Sequence, residues 1–285
     1  MAKDGWTRPA REALRPDRGF RLADLDPSST PGWKGDSEDA EARLAEVGLE
    51  LAELQERLFA QSRTGGSRSV LLVLQGMDTS GKGGIVRHVI GYVEPQGVTH
   101  RAFGVPTEQE RAHHYLWRIG QALPEPGRIG VFDRSHYEDV LVVRVHDLVP
   151  PTVWGARYEE INDFEKDVVD SGTTVVKVAL VISPDEQRAR LRERLDREDK
   201  RWKYKPGDLD ERVLWPRYTE AYQAVFDRTN TDRAPWFVIP ADRKWYARLA
   251  VAELLTQALR DLDPRWPPVT FDVEAEKDRL DAQVL

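Results

Sequence analysis

The 285-residue chain contains no cysteine. That absence excludes disulfide stapling, a thiolate nucleophile and cysteine-ligated zinc. Long apolar runs are missing too. No stretch approaches the ~20 consecutive apolar residues that span a bilayer. The opening residues, MAKDGWTRPA, carry no apolar run behind their charges, unlike a secretory leader. An excess of positive charge is also lacking, with 42 Lys and Arg against 49 Asp and Glu and a formal net charge of −7. A general binder of nucleic acid needs a basic field, so that class is not expected. The expectation is a cytoplasmic protein with no membrane or nucleic-acid partner.

What is present is a substantial core and a heavily charged surface, with 40% apolar and 32% charged residues. The length suits one α/β domain with additions. Residues 1–36, rich in Pro, Gly, Asp and Arg, read as an irregular arm. From Ser37 the residues Ala40, Leu44, Val47, Leu51, Leu54 and Leu58 recur at helical spacing, which predicts an amphipathic helix facing the core or a second subunit. Beyond the turn at 64–67, strands are predicted at 70–74, 99–103, 129–132, 174–182 and 236–239. They alternate with helices at 83–91, 108–123, 152–170, 185–199, 211–228 and 245–262. Continuous apolar strands between helices predict a parallel sheet covered on both faces. Three parts are expected: residues 1–66 as arm and helix, 67–262 as core with a lid at about 188–210, and 263–285 as a tail that wraps or frays.

The strongest motif is Gly76-Met77-Asp78-Thr79-Ser80-Gly81-Lys82-Gly83-Gly84. It follows a predicted strand and opens a predicted helix, the context of a phosphate-binding loop. Backbone N–H groups around Gly76, Ser80, Gly81, Gly83 and Gly84 can curl about phosphate oxygens, and the helix start adds partial positive charge. Lys82 can neutralise charge on a transferring phosphoryl group. The Ser or Thr that usually follows the lysine and ligates magnesium is replaced by Gly83. Asp78 is the natural substitute, because magnesium favours carboxylate oxygens. The alternative for Asp78 is a turn cap.

A second apolar strand ends at Asp133-Arg134-Ser135-His136-Tyr137. Ligands of parallel α/β sheets bind at the carboxyl ends of strands. Asp133 sits there as a second metal carboxylate or as a helix cap, and Arg134 as a phosphate fork or a surface ion pair. His136 is given no chemistry. Residues 188–205 hold nine basic and four acidic residues within an acidic chain. Such a segment focuses field on a polyanion, and Pro206-Gly207 breaks it into a flap that would exclude water. A solvated charged helix is the alternative. Gly104-Val105-Pro106-Thr107 either borders an acceptor pocket or is a plain turn.

These motifs, with DRSHYEDVLVVRVH at 133–146 and APWFVIPADRKWYARL at 234–249, resemble the second polyphosphate kinase family, the polyphosphate:nucleotide phosphotransferases, over about residues 35–262. The resemblance implies a three-layer P-loop kinase fold with a parallel sheet, thymidylate-kinase-like, carrying a helical lid and an N-terminal helical extension. It implies a catalytic centre of Asp78, Lys82 and Arg134, with Mg2+ or Mn2+ between the two phosphate substrates; the strand-end reading adds Asp133 to the catalytic residues and sets it with Asp78 toward the metal. Arg144, Arg194, Lys200 and Lys203 would hold phosphates. The substrates would be inorganic polyphosphate and adenine or guanine nucleotides, most like the subgroup that phosphorylates AMP and ADP, in a homo-oligomer. Many members carry Asn where this chain has Asp133. The competing readings are an ATP-dependent nucleoside monophosphate kinase and a non-catalytic P-loop regulator. The missing hydroxyl after Lys82 and the basic density of the lid weigh against the first. The presence of lysine, carboxylate and arginine together weighs against the second.

Overall fold

The computed structural model describes residues 5–283; residues 1–4 of the expected arm and 284–285 of the expected tail lie outside them. Five strands form one sheet: β1 (Ser69–Gln75), β2 (Val98–Ala102), β3 (Ile129–Asp133), β4 (Thr173–Val181) and β5 (Trp236–Pro240). Their order is β2-β3-β1-β4-β5, and every pairing is parallel. The chain is thus an α/β protein with the layered architecture expected.

All seven residues of β1 are buried, as a central parallel strand requires. Side chains alternate between its two faces. Val70, Leu72 and Leu74 join one apolar cluster with residues of the helices Ser37–Ser62 and Lys244–Leu262. Leu71 and Val73 join the other, with residues of Pro151–Asp170 and Trp215–Thr229. Helix Ser37–Ser62 begins at a reciprocal cap, in which the Asp36 side chain accepts from Asp39 N and the Asp39 side chain accepts from Asp36 N. Its predicted stripe faces the core, with Ala40, Leu44, Val47, Leu51 and Leu58 buried.

The arm, read as irregular, is packed against the core, and two expected helices need amending. Trp6 and Trp33 are buried edge to face, 5.7 Å between ring centroids. Tyr246 packs beside them and donates to Pro31 O at 2.6 Å. A short helix, Ala10–Leu14, adds Leu14 to the same cluster. The single helix expected at 108–123 is two separate turns, Glu108–Arg111 and Trp117–Gly120. Between them His113 stacks on Trp117 at 4.2 Å. His and aromatic residues are weak helix formers, so such a side-chain contact can override the helical pattern. The charged helix expected at 185–199 ends at Asp196 and continues as a tighter turn, Glu198–Lys203.

In the tail, an extended stretch leads to an exposed helix, Val273–Asp281. No helix among the described residues is long and apolar enough to cross a membrane.

Candidate active site at the carboxyl ends of β1 and β3

Register decides what meets at the sheet edge. Leu74 of β1 stands opposite Asp133 of β3, so the two strands finish side by side and their following loops converge. After β1 the chain turns through Gly76, Thr79 and Gly81, all at positive φ. A side chain on Gly76 would strike Leu180 O, so glycine is required there both for space and for its φ of 150°. Ser80 is buried in the loop. Lys82 opens the helix Lys82–His88. Built Cβ atoms on Gly83 and Gly84 would meet open space, so these two glycines leave room on the helix's outer face.

Lys82 curls over the loop, with Nζ donating to Gly76 O at 2.7 Å and reaching Met77 O at 3.4 Å. An ammonium has three N–H donors, so one remains to face outward. Burial pushes its pKa below the ordinary value, and Asp133 works against that shift.

After β3 the chain turns sharply at Arg134, a non-glycine residue at φ 65°. Such strain persists where the surroundings over-determine it. Arg134 N donates to Leu74 O at 3.0 Å. The Ser135 hydroxyl accepts from Gln75 at 3.0 Å. His136 and Tyr137 turn inward, where both approach the buried Glu165 carboxylate, at 3.2 and 2.8 Å. Lys177 completes that cluster at 2.6 Å from Glu165. With these anchors behind it, Arg134 Nη2 reaches Asp78 Oδ1 at 2.8 Å. Burial opposes the Arg134 charge, but Glu138, Asp78 and Asp133 outweigh it and hold its pKa above the ordinary value.

A cavity of about 190 Å³ opens over this cluster, lined by Asp78, Arg134, Glu138, Gln187, Glu211 and Trp215 among others. Glu138 is a site residue that the motifs did not reveal. Burial raises its pKa, against the pull of Arg134 and Lys82. Gln187 was also missed; its Nε2 donates to Asp78 O at 3.0 Å. The available signal was weak: both lie near recognised motifs, but nothing local says which way they face.

The lid cations sit differently. Arg194 donates to Lys203 O at 3.0 Å and to Asp208 at 3.3 Å. Lys200 donates to Glu193 at 2.5 Å. The Lys203 ammonium lies over the Trp202 ring at 5.0 Å. Arg144 is stacked over Trp154 at 4.7 Å and donates to Tyr158 OH at 3.3 Å. Val105, in the turn after β2, is exposed, and Gly104 O accepts from Arg118 at 2.9 Å.

No group of three or more His, Asp or Glu residues forms a ready-made metal cage among the described residues. Magnesium does not need one; it usually takes one or two carboxylates and fills its octahedron with waters and substrate phosphates. The pair Asp78 and Asp133 fits that pattern.

The model of the family described as polyphosphate kinase 2 matches residues 34–266. The chain is 48% identical over 254 residues to the AMP/ADP-polyphosphate phosphotransferase of Meiothermus ruber, covering 89% of this chain and 94% of that protein. It is 40% identical over 232 residues to the ADP-polyphosphate phosphotransferase of Rhodopseudomonas palustris, covering 77% and 79%. The crystal structure of polyphosphate kinase 2 from Arthrobacter aurescens TC1 superposes with a TM-score of 0.95 at 50% identity, covering 98% of each chain. The phosphate loop, the facing arginine and the five-stranded sheet therefore have a common origin with those proteins: this chain belongs to the polyphosphate kinase 2 family.

Proposed function

We propose that this enzyme moves a phosphoryl group reversibly between inorganic polyphosphate and AMP or ADP, with magnesium, in the cytoplasm. The observation that carries the reading is the meeting of Asp78 and Arg134 across the phosphate loop at 2.8 Å. It supplies a carboxylate where the usual hydroxyl is missing and an arginine fork beside it. The family membership and the names of the two relatives support the same substrates.

In the forward direction, a terminal phosphate oxygen of the acceptor attacks the terminal phosphorus of the chain. The bridging P–O bond breaks, and the electron pair leaves with the shortened polyphosphate. Phosphate monoesters have a second pKa near 6, so the attacking oxygen is already an anion at neutral pH and no general base is required. The protein's task is positioning and charge stabilisation. The loop N–H groups and Lys82 hold the transferred group, and Arg134 grips the oxygens of the partner phosphate. Asp78 and Asp133 would hold magnesium, which would supply positive charge to offset that of the phosphates. Arg194, Lys200 and Lys203 extend the cationic path along the polyphosphate.

The test incubates the protein with Mg2+ and AMP or ADP, adding either polyphosphate or ATP as donor, and follows all nucleotides. Product formed from polyphosphate alone supports the reading. Transfer only from ATP would replace it with an ordinary nucleotide kinase.

A further inference from the structure

Arg190 belongs, by its place in the sequence, to the basic segment expected to grip polyphosphate. Its surroundings give it another task. The side chain is 6% exposed. Nε donates to Glu186 at 2.6 Å. Nη1 donates to Thr79 O at 2.9 Å and to Ser80 O at 3.0 Å. Nη2 donates to Ala241 O at 2.6 Å and to Asp242 O at 3.1 Å. A guanidinium has five N–H donors in one plane, and all five are committed. None is left for a phosphate. Arg192, two residues on, is well exposed and, among the described residues, pairs with Asp196 at 3.4 Å.

The acceptors of Arg190 come from three segments: the phosphate loop, the start of the lid helix and the turn after β5. That turn is itself held, since Ala241 N donates to Val181 O at 2.7 Å and Asp242 accepts from Ser183 N at 2.8 Å. The C=O and N–H of one planar peptide point in opposite directions. Fixing Ser80 O against Arg190 therefore turns the N–H of Gly81 the other way, toward the concave side of the loop. Thr79 lies in the left-handed region at φ 66°, a conformation that a threonine keeps only when its surroundings over-determine it. The two bonds from Nη1 supply that constraint. A Cβ on Gly81 would sit in ordinary contact with Nη1 at 3.7 Å, so glycine is needed there for its φ of 116° rather than for space.

We propose that Arg190 is a positioning residue of the phosphate loop: it holds the Thr79 and Ser80 carbonyls behind the loop, which keeps the loop's shape, with Ser80 N donating to Met77 O at 3.1 Å, and leaves the Gly81 N–H facing the transferring phosphoryl group. A carbonyl turned inward would put the negative end of a dipole beside the phosphate, where charge builds during transfer. The effect therefore falls on kcat. The proposal rests on the polyphosphate–nucleotide transfer argued above, which the wild-type enzyme tests in the same assay.

The experiment measures kcat and both KM values for Arg190→Lys and Arg190→Ala. Lysine keeps the charge but cannot reach four carbonyls in one plane. Misplacing catalytic groups by ~1 Å costs ~10²-fold in rate, so kcat should fall by that order in both variants. The KM for long polyphosphate and its salt dependence should stay within about threefold of wild type, the mark of a loss confined to the transition state. Millimolar guanidinium should restore part of the kcat of Arg190→Ala by entering the vacated plane. A polyphosphate KM that rises steeply while kcat is kept would make Arg190 a polyphosphate ligand and overturn the proposal, as would wild-type kinetics in Arg190→Lys. Should Arg190→Ala not fold, Arg190→Lys decides by the same split.

Discussion

Arg134 and Asp78 close on each other across the end of the sheet, Nη2 to Oδ1 at 2.8 Å. They come from the loops after β3 and β1, neighbours in the sheet, and under the proposed function each would serve the charge of a different guest. A cation drawn to Asp78 releases Arg134 for a phosphate, and a phosphate drawn to Arg134 releases Asp78 for a cation. Metal and phosphate binding are therefore expected to favour one another, since each relieves the pair that the other must break.

Asp78→Asn keeps the size of the side chain and removes its charge. We predict that magnesium activation moves to higher concentration and that kcat falls by ~10²-fold or more, the usual cost of one preorganised electrostatic group. Phosphate affinity should weaken less, because Arg134 is then unpaired. Overlaying magnesium titrations of variant and parent would remove Asp78 from the metal site.

Lys82→Ala should leave the fold intact and cost ~10²–10³-fold in kcat. Its protonation adds a pH signature. Burial lowers the pKa of Lys82 below its ordinary value of 10.5, and transfer needs the charged form. Activity is thus present at lower pH and lost as pH rises through the lowered pKa. The alkaline limb of kcat/KM, which reports the free enzyme, should lie below the ordinary lysine range, and Lys82→Arg should shift it upward. An unmoved limb would assign it to another group.

The phosphate loop was legible because all its determinants are local: a buried strand, glycines at fixed spacing and a lysine at the helix start. The parallel sheet followed from the same alternation of strands and helices, but its order, β2-β3-β1-β4-β5, did not. The arm was not legible. Its burial rests on Trp6 meeting Tyr246 and on Tyr246 donating to Pro31 O, contacts across more than 200 residues that no local pattern announces. Nor could the charge pattern of the lid separate Arg190 from Arg192. Both are arginines in one helix, and only the packing of the phosphate loop and the turn after β5 makes one internal and the other solvated. The Glu108–Arg111 turn shows the converse. Its Thr107–Glu110 cap is written in the sequence, but the stacking of His113 on Trp117 decides where the helix stops.

Glu165 predicts a stability signature at acid pH. Burial pushes its carboxyl up, but Lys177 and then His136 outweigh burial and hold the pKa below its ordinary value of 4.5. A carboxyl depressed in the folded state contributes stability that is present above its unfolded pKa and lost as pH falls through the folded one. The thermal midpoint should therefore drop below about pH 4.5, the ordinary value cited. Removing one partner of a buried pair leaves an uncompensated charge, costing ~3–5 kcal/mol, so Lys177→Met should be severely destabilised. Lys177→Met with Glu165→Leu should recover much of that loss and flatten the acid slope. If the double variant is no more stable than Lys177→Met alone, the pair is not the source of the effect.

Glu193 is the internal competitor of the lid. Its carboxylate receives Lys200 at 2.5 Å and Arg197 at 3.3 Å, and Lys244 approaches at 3.6 Å. The bond from Lys200 is the main cause of its lowered pKa, so it is an anion throughout the working range. Under the proposed function, polyphosphate must take Lys200 from Glu193 before the lysine can hold it. The side chains are partly exposed, so each pair is worth only ~0–1 kcal/mol. Glu193→Gln should accordingly lower the KM for long polyphosphate by a modest factor, up to about fivefold, the equivalent of ~1 kcal/mol. The nucleotide KM should hardly move. Because exposed charges are screened over a Debye length of ~8 Å at physiological ionic strength, the gain should shrink as salt is added. Lys200→Ala with Lys203→Ala should act in the opposite direction on the same constant, and adding Glu193→Gln to that pair should bring little further change, because its main partner is gone. An unchanged or higher polyphosphate KM in Glu193→Gln alone would mean that Glu193 organises the lid rather than competing for its cations. Equal shifts in both KM values would mean that the lid grips the nucleotide.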